Sequence, residues 1–213
     1  MLTGKKIVLG VSGGIAAYKM ANVASMLSKL HADIHVVMTE NATHFITPET
    51  FEVLTGNHCY TDTFDRCMEL HVPHIALGTQ ADAILIAPAS ADVVGKIANG
   101  IADDMLTTCV LPATCPVMLA PSMNVHMYEN PIVQDNMKKL ASYGYEIIEA
   151  DEGYLACRDI GKGKLPPEHV LVDYIIRACA MDKDLAGKKV LVTAGATQES
   201  IDPVRYITNH STG

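Results

Sequence analysis

The sequence predicts a three-layer α/β fold, a parallel sheet with helices on both faces, and three observations carry that prediction. Short runs rich in Ile, Val, Leu and Ala (Lys6–Val11, Ile34–Met38, Ala83–Ala87, Val117–Ala120) recur along the chain and are apolar at successive positions, as strands buried on both faces are. Stretches with apolar residues at helical spacing separate them, the alternation of a βαβ chain. Small and polar residues gather where each run ends, at Ser12–Gly14, Thr39–Asn41, Pro88–Asp92 and Pro121–Tyr128. In such sheets ligands sit outside the carboxyl ends of the strands, so these clusters are expected to converge on one site.

Taken in order, Lys6–Val11 is a strand followed by Ser12-Gly13-Gly14, and Ile15–Leu30 carries Ile15, Ala16, Met20, Val23, Ala24, Leu27 and Leu30 at helical spacing. Ile34–Met38 is the second strand. Thr47–Cys67 is mixed and reads as a helix and then a loop. A short helix is expected over His74–Thr79, behind Pro73, whose fixed φ suits a first turn. Ala83–Ala87 is the third strand, closed by Pro88-Ala89-Ser90-Ala91-Asp92, with helices over Val93–Ala98 and near Asp103–Leu111. Val117–Ala120 is the fourth strand, and Pro121, having no N–H, stops its ladder. Pro131–Tyr143 reads as a helix, Tyr145–Glu149 as a fifth strand, and Glu168–Met181 as a final helix. Gly153–Pro167 is glycine-rich and basic, too irregular for a regular element. Residues 1–181 therefore form one domain, Asp182–Gly187 a linker, and Lys188–Ala194 the first strand of something further. The stretch 188–213 is too short to carry its own core.

Composition narrows the function. The 213 residues are 49% hydrophobic with a formal net charge of −8, and the 16 Lys and Arg form no long run, which argues against a nucleic-acid surface. No apolar stretch approaches the roughly 20 residues that span a bilayer, and the amino-terminal segment does not read as a secretory signal. The six cysteines, at 59, 67, 109, 115, 157 and 179, make no Cys-x-x-Cys pair and no zinc-ligand spacing, so free thiols in a reducing cytoplasm and no metal site are expected.

Ser12-Gly13-Gly14 opens a helix, so main-chain N–H groups and the helix dipole face an anion there, most simply a phosphate. The dinucleotide pattern Gly-x-Gly-x-x-Gly is absent, because from Gly10 the chain reads Gly-Val-Ser-Gly-Gly-Ile. Thr39 and Ser90 offer hydroxyls at two other strand ends where a dinucleotide site would have an acidic ribose clamp. A mononucleotide such as FMN, with one terminal phosphate, fits this better, although Glu40 keeps the dinucleotide alternative open. Ala120–Pro131 has two readings on residue types alone. Met123, Met127 and Tyr128 pack back on the core, or they close over a ligand that Asn124 binds.

The segments Gly10–Lys19, His74-Ile75, Ala87–Asp92, Asn99–Asp104, Pro121–Met127, Leu155-Ala156-Cys157 and Gly161–Gly163 together resemble the homo-oligomeric flavin-containing cysteine decarboxylases. Within that family the chain looks like the decarboxylase half of the bifunctional coenzyme A biosynthesis flavoproteins of bacteria. The resemblance covers nearly all of residues 4–181, with Tyr128 where the family usually has tryptophan and Arg158 where it usually has glycine. It implies a Rossmann/flavodoxin-like fold and an FMN bound by Ser12, Gly13, Gly14, Thr39, Ser90, Ala91, Asp92 and Ser122. The implied substrate is 4′-phosphopantothenoylcysteine, met by Asn124, Met127, Tyr154, Leu155 and Ala156.

That substrate holds its cysteine nitrogen as an amide, so no Schiff base can drain the electrons of the carboxylate; a thioaldehyde at Cβ can, and the flavin supplies the oxidation. The resemblance implies His74 as base, Asn124 as carboxylate or amide binder, and Cys157 as proton donor in the reductive half. His74 falls at a helix N-terminus, where the dipole disfavours imidazolium. Arg158, Lys162 and Lys164 beside Cys157 favour thiolate, and Gly153–Lys164 reads as a flap over substrate. A trimer with flavin sites between subunits, or a dodecamer assembled from such trimers, is implied as the assembly. The tail after Ala194 resembles the opening of the partner ligase domain, so the chain reads as truncated and no ligase activity is expected. A non-catalytic FMN-binding regulatory subunit and a flavin prenyltransferase of similar fold are the alternatives; the presence of both His74 and Cys157 counts against the first, and the Asn124 clamp with the Cys157 flap against the second.

Overall fold

A computed structural model describes residues 1–64, 72–154, 159–181 and 184–210. Its chain forms two compact units, Met1–Met181 and Asp182–Gly213.

The first unit is built on six parallel strands: β1 (Lys6–Val11), β2 (Asp33–Met38), β3 (Cys59–Tyr60), β4 (Ala83–Ala89), β5 (Val117–Pro121) and β6 (Glu146–Ile147). Their order across the sheet is β3-β2-β1-β4-β5-β6, the doubly wound order of Rossmann proteins. The chain winds outward from β1 in one direction and from β4 in the other, which leaves a crevice beyond the carboxyl ends of these two strands.

Alternation along β1 shows why the runs are continuously apolar. Ile7, Leu9 and Val11 enter one core with Met20, Val23 and Leu27 of α1 (Lys19–Lys29) and Leu171, Val172 and Ile175 of α8 (Glu168–Cys179). Val8 faces the opposite core, with Ile84, Ile86 and Leu119, beneath α4 (Ala91–Ala98), α5 (Met105–Val110) and α7 (Pro131–Ser142). Side chains of period 2 are thus buried on both faces, and no polar face is left to break the pattern. α2 (Pro48–Thr55) adds Phe51 to the first core, and α3 (Pro73–Gln80) adds Leu77 to the second.

Several boundaries differ from the sequence expectation. The helix expected over Ile15–Leu30 starts as a 3₁₀ turn, Ile15–Tyr18, before α1. β4 runs on through Pro88 to Ala89 instead of closing at Ala87, and Pro121 stays in register with Ala89 as the last residue of β5. Cys59–Tyr60 pairs with β2, where a loop was expected. Gly153–Pro167, read as irregular, contains a strand of an antiparallel hairpin, β7 (Asp151–Tyr154) with β8 (Ile160–Lys164). In the second unit Lys188–Ala194 is not a strand; that unit's strands are β9 (Gln198–Ser200) and β10 (Tyr206–Thr208), an antiparallel pair.

Candidate active site

A cavity of about 490 Å³ lies at the carboxyl edge of the sheet, beyond β1, β4 and β5. One wall comes from the turn after β1: Gly13, Gly14, Ile15, Ala16, Tyr18 and Lys19. Ser90, Ala91, Ser122, Asn124, Met127, Tyr154 and Lys164 line it as well.

Each wall has a local cause. Ser12 is fully buried, and its hydroxyl donates to the Pro88 carbonyl at 2.7 Å while accepting from the Ser90 N–H at 2.9 Å. It therefore ties the end of β1 to the end of β4 and does not itself line the cavity. At Gly13 a Cβ would lie 2.5 Å from the Cβ of Asn41, so only glycine lets the turn approach the loop after β2 this closely. Gly14 is extended (φ −176°) and opens the 3₁₀ turn. Ser90 caps α4 by accepting from the Val93 N–H. Gly13, Gly14 and Ser90, from two different strand ends, line one cavity.

The clamp is one turn of helix, α6 (Val125–Tyr128), where the sequence suggested a loop. Asn124 is its N-cap: Oδ1 accepts from the His126 N–H at 2.8 Å, and Nδ2 donates to Asp159 at 2.9 Å. The packing reading holds for Tyr128, which is buried in the core, whereas Met127 is half-exposed and lines the cavity. The hairpin β7–β8 docks here, with the Met123 N–H donating to the Gly163 carbonyl at 3.0 Å.

Of the residues expected at the site, Gly13, Gly14, Ser90, Ala91, Ser122, Asn124, Met127 and Tyr154 line the cavity together. Thr39, Asp92 and His74 do not. Thr39 is buried at the end of β2, and among the described residues its Oγ1 has no partner. Asp92 is exposed in the first turn of α4 and pairs with Lys96 at 3.3 Å. His74 is the second residue of α3, with Nδ1 buried and unpartnered among the described residues, between the exposed Val72 and Ile75. Leu155, Ala156, Cys157 and Arg158 lie outside the described residues.

The cation reading near Cys157 changes for Lys162, which pairs with Glu149; that hydrogen bond holds its ammonium above the usual range and Glu149 below it. Tyr18 and Lys19 line the cavity without having been expected there, and Lys164, expected only at the end of the flap, lines it too. Tyr18 and Lys19 close the matched segment Gly10–Lys19, and their place one turn past the glycines could have flagged them. Among the described residues neither Lys19 nor Lys164 makes an ion pair, which leaves two ammonium groups at a cavity that otherwise carries no charged side chain. No cluster of three His, Cys, Asp or Glu fit to hold a metal exists among the described residues. No helix described is long and apolar enough to cross a membrane.

The fold and cavity define a doubly wound α/β protein with a cavity at its topological switch point. The chain belongs to the flavoprotein family, whose model matches residues 1–180. Residues 185–213 match the DNA/pantothenate metabolism flavoprotein C-terminal domain. The chain is 48% identical over 215 aligned positions to the coenzyme A biosynthesis bifunctional protein CoaBC of Bacillus subtilis, covering 100% of this chain and 53% of that protein. It is 42% identical to the protein of the same name from Escherichia coli, covering 52% of it. The chain thus spans about half the length of these relatives. Among solved structures it superposes on the FMN-dependent cysteine decarboxylase SpaF with a TM-score of 0.74 and 34% identity, over 85% of this chain and 100% of that one. A PPC decarboxylase mutant complexed with pantothenoylaminoethenethiol gives a TM-score of 0.72 at 29% identity, over 80% of this chain and 96% of that one.

Proposed function

We propose that this chain binds FMN and decarboxylates 4′-phosphopantothenoylcysteine to 4′-phosphopantetheine, a step of coenzyme A biosynthesis in the cytoplasm. One observation carries the reading: a glycine-lined, hydroxyl-bearing wall and the Asn124 clamp face each other across a single cavity at the switch point. The likeness to CoaBC proteins and to cysteine decarboxylases supports it.

The residues present fit FMN. Gly13, Gly14, Ser90, Ala91 and Ser122 would hold it, and the orphaned Thr39 hydroxyl at the neighbouring strand end supplies the kind of buried donor a phosphate or polyol needs. When bound, the flavin supplies a hydride acceptor and returns the hydride, so no outside redox partner is consumed.

The protein's own groups do the rest. Asn124 presents its amide to the substrate carboxylate and orients the C–C bond that breaks. Lys19 and Lys164 give the cavity a positive wall suited to a phosphorylated substrate. His74 acts as the base on the cysteine unit, and Cys157, outside the described residues, returns a proton to carbon. His74 stands outside the wall of its own chain's cavity, flanked by exposed apolar residues, and so serves the cavity of a neighbouring subunit in a trimer or an assembly of trimers. The 185–213 segment belongs to a ligase half, and the decarboxylation does not call on it. The test is the purified protein's chromophore: a yellow protein that releases FMN on denaturation supports the reading, and FAD or no flavin contradicts it.

A further inference from the structure

We propose that Asp159 is the positioning residue for Asn124, fixing the amide so that its amino group and not its oxygen is offered to the substrate. This rests on the reading that Asn124 binds the substrate carboxylate.

Asn124 is held from both ends. Its oxygen is committed to the His126 N–H at 2.8 Å as the cap of α6, and its nitrogen donates to an Asp159 carboxylate oxygen at 2.9 Å. Rotating the amide by half a turn would set the oxygen against a carboxylate and the amino group against an N–H. Both contacts would be repulsive, so the two partners select one orientation. A carboxylate ligand accepts only from an N–H, and the amino end of the amide is the end that carries one. A cap alone fixes the oxygen only through one neutral hydrogen bond; the bond to a charged acceptor is the stronger of the two.

Asp159 reaches Asn124 because the hairpin is seated on the clamp. Met123 donates to Gly163, and at Gly161 a Cβ would lie 2.6 Å from Val125 Cγ2, so β8 touches residues on either side of Asn124. Docking of the hairpin and orientation of the amide are therefore one event. The residue stands at the edge of the hairpin, just before β8, and is half-buried.

The experiment is a double-mutant cycle on the flavin-loaded protein with 4′-phosphopantothenoylcysteine. Asp159→Ala should lower kcat about 10- to 100-fold while KM moves less. Asp159→Asn, which keeps an acceptor oxygen but not the charge, should recover part of the loss. Binding of 4′-phosphopantetheine, which has no carboxylate, should be unchanged in both variants, whereas a hairpin that had merely come undone would weaken it. In an Asn124→Ala background, Asp159→Ala should cost little more, since there is no amide left to orient. Independent, multiplicative losses in the cycle would overturn the proposal, as would wild-type kcat in Asp159→Ala. If Asp159→Ala loses flavin or fails to fold, Asp159→Ser takes its place in the same cycle. Wild-type activity in Asn124→Ala is a different result, and it would refute the role of Asn124 itself.

Discussion

The N–H of Met123 donates to the carbonyl of Gly163 at 3.0 Å, so the hairpin β7–β8 is seated by its main chain on the residues that leave β5. At Gly163 a Cβ would lie 2.4 Å from the Met123 carbonyl oxygen, and φ is +138°. Both the close approach and the backbone conformation require glycine. The segment expected to act as a flap over substrate is thus attached to the clamp on its second strand.

Gly163→Ala should unseat this strand without unfolding the sheet. Strain of about 1–3 kcal/mol is expected, and at about 1.4 kcal/mol per tenfold, kcat/KM for the substrate should fall by a factor between about 5 and about 140. Steady-state kinetics beside the flavin absorbance of the same sample checks this. Unchanged kcat/KM would show that the seat is not needed.

Gly14→Glu should give a folded but colourless protein. The backbone there is extended, and a Cβ would meet only Pro88 Cγ at 3.8 Å, an ordinary contact. The new carboxylate would instead enter the cavity where an anionic group of the cofactor is expected to sit. The measurements are circular dichroism and released flavin; normal flavin content in the variant sinks this placement.

His74→Asn and Asn124→Ala should each lower turnover by orders of magnitude, to a residual rate that is still measurable, and restore part of it when the two chains are co-expressed. Their residues lie on opposite sides of a subunit boundary in the proposed assembly, so a mixed oligomer contains some sites with both groups intact. No recovery in mixed oligomers, confirmed by mass, would place both residues in one chain's site.

The joint between β1 and β4 should carry a measurable pH dependence. Asp82 accepts from the Lys6 N–H at 2.8 Å and from Lys5 Nζ at 2.9 Å. Burial pushes its carboxyl up, but these bonds and the lysine charges outweigh it and hold the group below its usual range. A depressed folded pKa means that the stabilisation is present above the unfolded value, about 3.9, and is lost as pH falls through the lower folded value. Asp82→Ala should cost about 1 kcal/mol at pH 7, the side chain being partly exposed. Urea titrations should show that gap closing below about pH 4. An equal gap at pH 3 and pH 7 would mean that the charge is not its source.

The sheet was legible because burial on both faces writes itself into the chain as unbroken apolar runs. β3 was not, since two residues, Cys59 and Tyr60, are too few for any period. The hairpin β7–β8 escaped because its residues are mostly exposed on both sides, so no alternation marks it. Lys188–Ala194 failed in the opposite sense: it has the composition of a buried strand, yet Val190, Leu191 and Val192 are exposed and unpaired within their own unit. At the site, the strand-end clusters pointed to Gly13, Gly14, Ser90, Ser122 and Asn124 correctly as neighbours. Ser12 and Asp159 needed coordinates, because a buried hydroxyl brace and a contact across 35 positions leave no local pattern.

The central claim is tested most directly by incubating the purified flavin-loaded chain anaerobically with 4′-phosphopantothenoylcysteine and weighing the product by mass spectrometry. The expected product is 4′-phosphopantetheine, lighter by one CO₂, formed over many turnovers with no added oxidant or reductant and with the flavin oxidised again once substrate is spent. Substrate recovered intact from a flavin-loaded oligomer would contradict it.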